Sequence, residues 1–175
     1  MADPTAAQRW TTFLGKMRAR LQEILTEADA GFDELIATEA IDPGPISSAY
    51  NEVRGRLFAL RDKIEPAWAK LAGELEGQHA LEDQGRTLGD DILRAADALD
   101  DQVKAKHLTR LEELAKEELA ARSLKCTRCG AQLPDPPVLH RVENVTCTHC
   151  QAVNTVRPGP AMAMAHALRP RPKKG

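Results

Sequence analysis

Residues 124–130 and 145–150 read Leu124-Lys125-Cys126-Thr127-Arg128-Cys129-Gly130 and Val145-Thr146-Cys147-Thr148-His149-Cys150, two C-x2-C pairs separated by 17 residues. Two residues between thiolates allow a tight turn to aim both sulfurs at one point. Two such turns facing each other complete a tetrahedron around a single ion. Gly130 follows the first pair directly and suits the positive φ that such a turn needs, whereas Gln151 stands at the matching place after the second. Cys126, Cys129, Cys147 and Cys150 are therefore the candidate ligands of one structural Zn2+. Four thiolates close the coordination shell and leave no position for water or substrate, which is the signature of a structural site.

Other uses of the four cysteines remain open at this point. Disulfides would suit an exported protein, but the beginning Met1-Ala2-Asp3-Pro4 lacks a basic patch followed by an apolar stretch. A redox pair expects a surrounding βαβ pattern, and the flanking segments do not offer one. A rubredoxin-type iron site also uses two C-x2-C turns, yet residues 123–157 contain no Phe, Tyr or Trp to shield a redox centre. His149, inside the second pair, reads as a surface side chain beside a full sulfur shell. Between the pairs, Pro134 to Pro137 marks a loop. Residues 138–142 and 152–156 read as short strands leading to and from the turns.

These residues resemble the C4 zinc-ribbon families, in which two knuckles sit at the end of a small antiparallel sheet. The resemblance covers about residues 123–157 and implies the fold and the metal; ribbons serve transcription, translation and protein docking alike. A helical hairpin leading into a ribbon is also similar to bacterial coiled-coil/zinc-ribbon proteins. The 17-residue spacing resembles the DksA/TraR family as well, which implies entry into the secondary channel of RNA polymerase. That carry-over is limited to the four cysteines and Gly130. The family's D-x-x-D-x-A tip is absent, since Asp97 and Asp100 are followed by Gln102. In that reading the 77–89 turn would be the tip, flanked by Asp90 and Asp91.

The rest of the chain differs in charge. Residues 1–122 hold 24 of the 26 acidic side chains and 16 of the 24 Lys and Arg, a balance of −8, while residues 123–175 carry +6. Such a split separates two parts with different partners. The six aromatic residues all fall within the first 70 positions, and the chain is otherwise rich in Ala, Leu, Glu and Arg, which favours helical packing.

Trp10, Leu14, Met17, Leu21, Ile24 and Ala28 recur at steps of 4, 3, 4, 3 and 4, one seam of a helix that Leu35 continues and Phe13, Leu25, Phe32 and Ile36 widen. Asp3-Pro4 is its start signal, and Asp42-Pro43-Gly44-Pro45 its stop. A second seam runs Ile46, Tyr50, Val53, Leu57, Leu60, Ile64, Trp68, Leu71 and Leu75, with a kink or short break expected at Pro66. Residues 77–89 read as a glycine-rich turn, with Thr87 and Asp90 as a capping box. A third helix then carries Leu88, Ile92, Ala95, Leu99, Val103, Leu111, Leu114 and Leu119, stopping near Ser123. His107 shares this face as a boundary histidine of the packing, and His79 reads as solvated. Adjacent carboxylates such as Asp90-Asp91 point about 100° apart on a helix and cannot converge on one ion.

The expected architecture is thus mainly α: an antiparallel three-helix bundle or coiled coil over residues 1–122, its helices each about 45–50 Å long at about 1.5 Å per residue. A small β zinc ribbon over 123–157 and a flexible basic tail over 158–175, with a short helix at 161–168, complete it. Lys125, Arg128, Arg141 and Arg157 form the candidate positive face for a protein or nucleic-acid partner, joined by Arg169, Arg171, Lys173 and Lys174 of the tail. No aromatic residue accompanies them to stack on bases. No nucleophile–base pair, phosphate-cradling glycine loop or nucleotide fingerprint is present, so an enzyme and a small-molecule substrate are not expected. No apolar run approaches the roughly 20 residues that span a bilayer, so no membrane association is expected and the cytoplasm is the expected location.

Overall fold

The computed structural model describes residues 5–134 and 142–169. The chain is mainly helical, with one small two-stranded antiparallel sheet. The elements in order are α1 (Ala6–Glu39), α2 (Pro43–Arg61), α3 (Ile64–Ala69), α4 (His79–Ala121), β1 (Glu143–Thr146), β2 (Val153–Val156) and α5 (Pro160–Leu168). Among the described residues, no helix is long and apolar enough to cross a membrane.

The chain forms two compact units, residues 1–35 with 44–103 and residues 36–43 with 104–175. In the first, the α1 seam buries Trp10, Leu14, Met17, Ile24 and Ala28, then passes to Phe32 rather than Leu35. A repeat of alternating threes and fours drifts by about 20° per heptad against the true helical period, so successive steps of four take over. Trp10 is fully buried. Its ring stacks on Phe13 at 5.5 Å between centroids, meets Trp68 edge-on at 5.1 Å, and its Nε1–H donates to the Leu81 carbonyl at 2.8 Å.

Several expectations about the helices are corrected. The break in the second seam falls at residues 62–63, upstream of Pro66. A proline lacks the N–H that would bond the carbonyl four residues earlier and its ring crowds that carbonyl, so Pro66 acts at Asp62 and sits comfortably in the first turn of the short α3. Residues beyond Ala69 form turns, closed by Gly77 at φ 80°, and Leu75 is buried from there. The glycine-rich stretch is not a turn throughout: α4 begins at His79, so Thr87 and Asp90 lie inside a helix and cap nothing. Gly85 is there because a Cβ would stand 2.6 Å from Trp10 Cζ2. The helices are consequently unequal, 34 residues in α1, 19 in α2 and 43 in α4. At about 1.5 Å per residue that is about 51, 28 and 64 Å. The two prolines of 43–45 open α2 rather than only ending α1, since the first helical turn needs no intrahelical N–H.

In the second unit, α4 buries His107, Leu111 and Ala115 in the same stripe. Leu111 and Ala115 form a core with Ala40, Ala161 and Ala165. His107 Nε2 lies 2.5 Å from the Ala40 carbonyl, one of the carbonyls that the end of α1 leaves without an intrahelical partner. The helix over Pro160–Leu168 packs its alanines on α4. Its first turn is held by Glu118, whose Oε1 accepts from the Ala161 N–H at 3.2 Å. A carboxylate at a helix N-terminus meets both orphan N–H groups and the positive end of the dipole. Gly159 allows this approach, because a Cβ there would stand 1.9 Å from Glu118 Oε2. Arg169 pairs with Glu112 at 2.7 Å, and Arg122 donates to the Arg157 carbonyl at 2.7 Å.

The sheet pairs Glu143 with Val156, Asn144 with Thr155, Val145 with Asn154 and Thr146 with Val153. The first strand runs Glu143–Thr146; of the strand expected over 138–142, Val142 lies just ahead of it and residues 138–141 lie outside the described residues. Val145 and Val156 point inward with Leu133, Cys126 and Cys147.

Candidate metal centre

The two C-x2-C segments fold by the same backbone rule, displaced by 21 positions. In the first, the Cys126 N–H donates to the Ala131 carbonyl at 2.8 Å and the Gly130 N–H to the Cys126 carbonyl at 2.9 Å. In the second, the Cys147 N–H donates to the Ala152 carbonyl at 2.9 Å and the Gln151 N–H to the Cys147 carbonyl at 3.0 Å. Each loop therefore closes on itself and holds its two sulfurs on one side. Positive φ is required at the residue that closes each loop, 73° at Gly130 and 57° at Gln151. Glycine takes this conformation freely, and glutamine takes it at a cost of about 1 kcal/mol. Gln151 offsets part of that by donating from Nε2 to the Thr148 carbonyl at 3.4 Å.

This asymmetry gives a paired expectation. Nothing lies within 4 Å of a Cβ built on Gly130, so the cost of Gly130→Ala is conformational, about 1 kcal/mol. Gln151→Gly is expected to leave stability unchanged or raise it. Denaturant midpoints of the metal-loaded sheet, followed by amide NMR, check both signs.

The Sγ atoms of Cys126, Cys129, Cys147 and Cys150 all lie within 4.8 Å of one another. Cys126 and Cys150 approach to 3.5 Å, and Cys129 and Cys147 to 3.7 Å. A zinc–sulfur distance of about 2.3 Å in a tetrahedron demands sulfurs about 3.8 Å apart, so these two edges fit a bound ion and are far too long for a disulfide. All four cysteines are free. The cluster could hold a metal ion, and among the described residues it is the one group of His, Cys, Asp and Glu so arranged. His149 is exposed and is not part of it.

The four sulfurs are unequal. Cys126 and Cys147 are buried, Cys150 is half-buried and Cys129 is exposed. The backbone N–H of Cys129, then those of Arg128 and the Asn154 side chain, stabilise the Cys126 thiolate and lower its pKa from 9.0 to about 6, against the opposing effect of burial. Cys129 receives the Ala131 N–H, but the neighbouring sulfur of Cys150, burial, and then Cys126 and Cys147 push it up to about 12. Four thiols this close cannot all ionise unless a cation shares the charge.

The sign of each shift fixes how the folded geometry of the loops responds to pH. The depressed pKa of Cys126 gives stabilisation that is fully present above pH 9.0 and is lost as pH falls through about 6. The raised pKa of Cys129 gives stabilisation present below pH 9.0 and lost as pH rises through about 12.

Of the candidate partner contacts, Lys125, Arg128 and Arg157 are exposed. Arg169 is exposed and engaged with Glu112. Arg141, Arg171, Lys173 and Lys174 lie outside the described residues. One residue of the centre escapes the motif entirely: Asn154 is buried between the two loops and bonds to both Thr127 and Cys126. Its only sequence signal is a polar side chain at the inward-facing parity of a strand, two residues from Val156. No protein-family model, curated protein or solved structure matches the chain.

Proposed function

We propose that this chain is a non-enzymatic interaction module, in which an antiparallel three-helix bundle carries a C4 zinc ribbon that docks on a partner in the cytoplasm. The observation that carries this reading is the sulfur cluster, four Sγ atoms within 4.8 Å at the ends of two loops of identical backbone pattern. Four thiolates match zinc in softness and number and fill its shell, so the ion supplies folding energy rather than a reactive site. About 35 residues cannot bury a core sufficient for stability, and the metal replaces it. A protein is the favoured partner, approached through the exposed cations Lys125, Arg128 and Arg157; nucleic acid is the second. A DksA-like role at RNA polymerase has less support, because it would place its tip in residues 77–89 and α4 begins at His79.

Cobalt substitution tests the closed shell. The full chain loaded with Co2+ is expected to give the spectrum of a tetrahedral tetrathiolate that added azide or cyanide does not alter at concentrations that leave the ion bound. A spectrum that shifts with the added anion contradicts a structural role and favours an open, catalytic one. Partner docking is tested by pull-down with the zinc-loaded full chain against Cys147→Ser: the same captured partner with both chains contradicts docking through the ribbon. A captured nucleic acid is expected to dissociate steeply with salt.

A further inference from the structure

Asn154 leaves the second loop on β2, yet all but one of its side-chain bonds go to the first. The residue is 4% exposed. Oδ1 accepts from the Thr127 backbone N–H at 2.9 Å and from Thr127 Oγ1 at 3.1 Å. Nδ2 donates to the Ala152 carbonyl at 3.0 Å and approaches Cys126 Sγ at 3.6 Å. Both lone-pair positions and both N–H groups of the amide are thereby used, which is complete satisfaction for a buried asparagine. The network also fixes which end is which. Rotated by half a turn, the amide would set its NH2 against the Thr127 N–H and its oxygen against both a carbonyl and a sulfur.

We propose that Asn154 is a positioning residue of the metal centre, clamping the first loop to β2 and donating to the Cys126 sulfur. The inference rests on the metal reading above. Two loops that each hold two sulfurs still need a fixed mutual orientation, and the Asn154 side chain bonds across the 27-residue separation to Thr127. A divalent ion with four thiolates retains two negative charges in a small volume. Donors from outside the shell disperse that charge and aim the ligands. Cys126 receives a further donor from the Arg128 N–H at 3.4 Å, so the loss of Asn154 weakens its support without abolishing it.

Two substitutions separate the clamp from the sulfur bond. Asn154→Asp retains an acceptor for Thr127 but places a carboxylate, with no donor, against Cys126 and the Ala152 carbonyl. Asn154→Leu fills the same space and removes both functions. The experiment measures zinc release from the full chain to a colorimetric chelator, amide exchange at Thr127, and the sulfur-to-metal charge-transfer band of the cobalt form. Both variants are expected to release zinc faster by about 10–100-fold, the usual cost of losing an outer-shell partner, and to shift the charge-transfer band. Thr127 is expected to stay protected in Asn154→Asp and to exchange freely in Asn154→Leu.

Release at the wild-type rate together with an unmoved band in Asn154→Leu would overturn the proposal, and this variant decides alone if Asn154→Asp takes up no metal. Faster release with an unmoved band would also overturn it, since a purely structural loss need not change the electronic environment of the sulfur. A wild-type chain that takes up no zinc counts instead against the metal reading itself.

Discussion

Replacing Cys147 with serine is expected to abolish stoichiometric zinc binding and to unfold the sheet, while the helices of the first unit persist. Cys147 is fully buried at the centre of the small cluster of Cys126, Leu133, Val145 and Val156. Its loss would remove both a candidate ligand and the anchor of the second loop. The scale follows from the size of the segment. The binding free energy of a structural zinc, about 10–16 kcal/mol in small modules, is folding free energy where no preformed site exists without the ion. Amide exchange checks this: protection at Val145, Asn154 and Val156 should vanish in Cys147→Ser, with Leu88 and Ile92 unchanged. Cys129→Ser is expected to be milder, because that position is exposed and water can reach the serine hydroxyl. Equal protection in wild type and Cys147→Ser would mean that the sheet stands without the metal.

The largest effect outside the metal centre is expected at Trp10. Trp10→Ala removes a fully buried side chain that contacts Phe13, Trp68 and Gly85, together with the indole N–H that donates to the Leu81 carbonyl. A large-to-small change of this kind costs about 3–5 kcal/mol. For a chain of this size that lowers Tm by about 10 °C or more. Trp10→Phe keeps most of the apolar volume and loses the hydrogen bond, so its expected cost is about 1–2 kcal/mol. Gly85→Ala tests the same contact from the other side: its Cβ would meet a buried ring that has little room to move, and a clear loss of stability is expected. Thermal unfolding followed by tryptophan fluorescence distinguishes these variants. A Trp10→Ala chain with unchanged Tm would show that this end of the helices is not packed as described.

What the sequence makes legible divides along a physical line. The four cysteines are legible as a cluster because their spacing lets two tight turns converge their sulfurs, and the two loops place them within 4.8 Å. The helical seams are legible for a similar reason: burial on one face repeats with the backbone period, and Trp10, Leu14, Met17, Ile24 and Ala28 are buried in register. His107 likewise falls into the buried stripe of α4.

The rest depends on contacts between distant residues. Glycines at 85 and 89 have the local signature of a turn, and only the ring of Trp10 explains why Gly85 belongs inside a helix. Pro66 marks a break, yet the break lies at the carbonyl it crowds rather than at the ring itself. Residues 143–146 are mostly polar and have no apolar run, so their strand is legible only through its pairing with 153–156. Asn154 shows how a residue can matter without a motif: its place is set by what the opposite loop needs, and nothing near it in the chain records that need.

The central claim is that one zinc ion, gripped by Cys126, Cys129, Cys147 and Cys150, holds the small sheet together. Elemental analysis of the purified, reduced full chain before and after chelation tests it most directly, read alongside the amide spectrum of residues 124–156. One zinc per chain, with that spectrum collapsing when the ion is stripped and returning when it is restored, is the expected result. Absence of stoichiometric zinc, or a spectrum indifferent to its removal, would contradict the account.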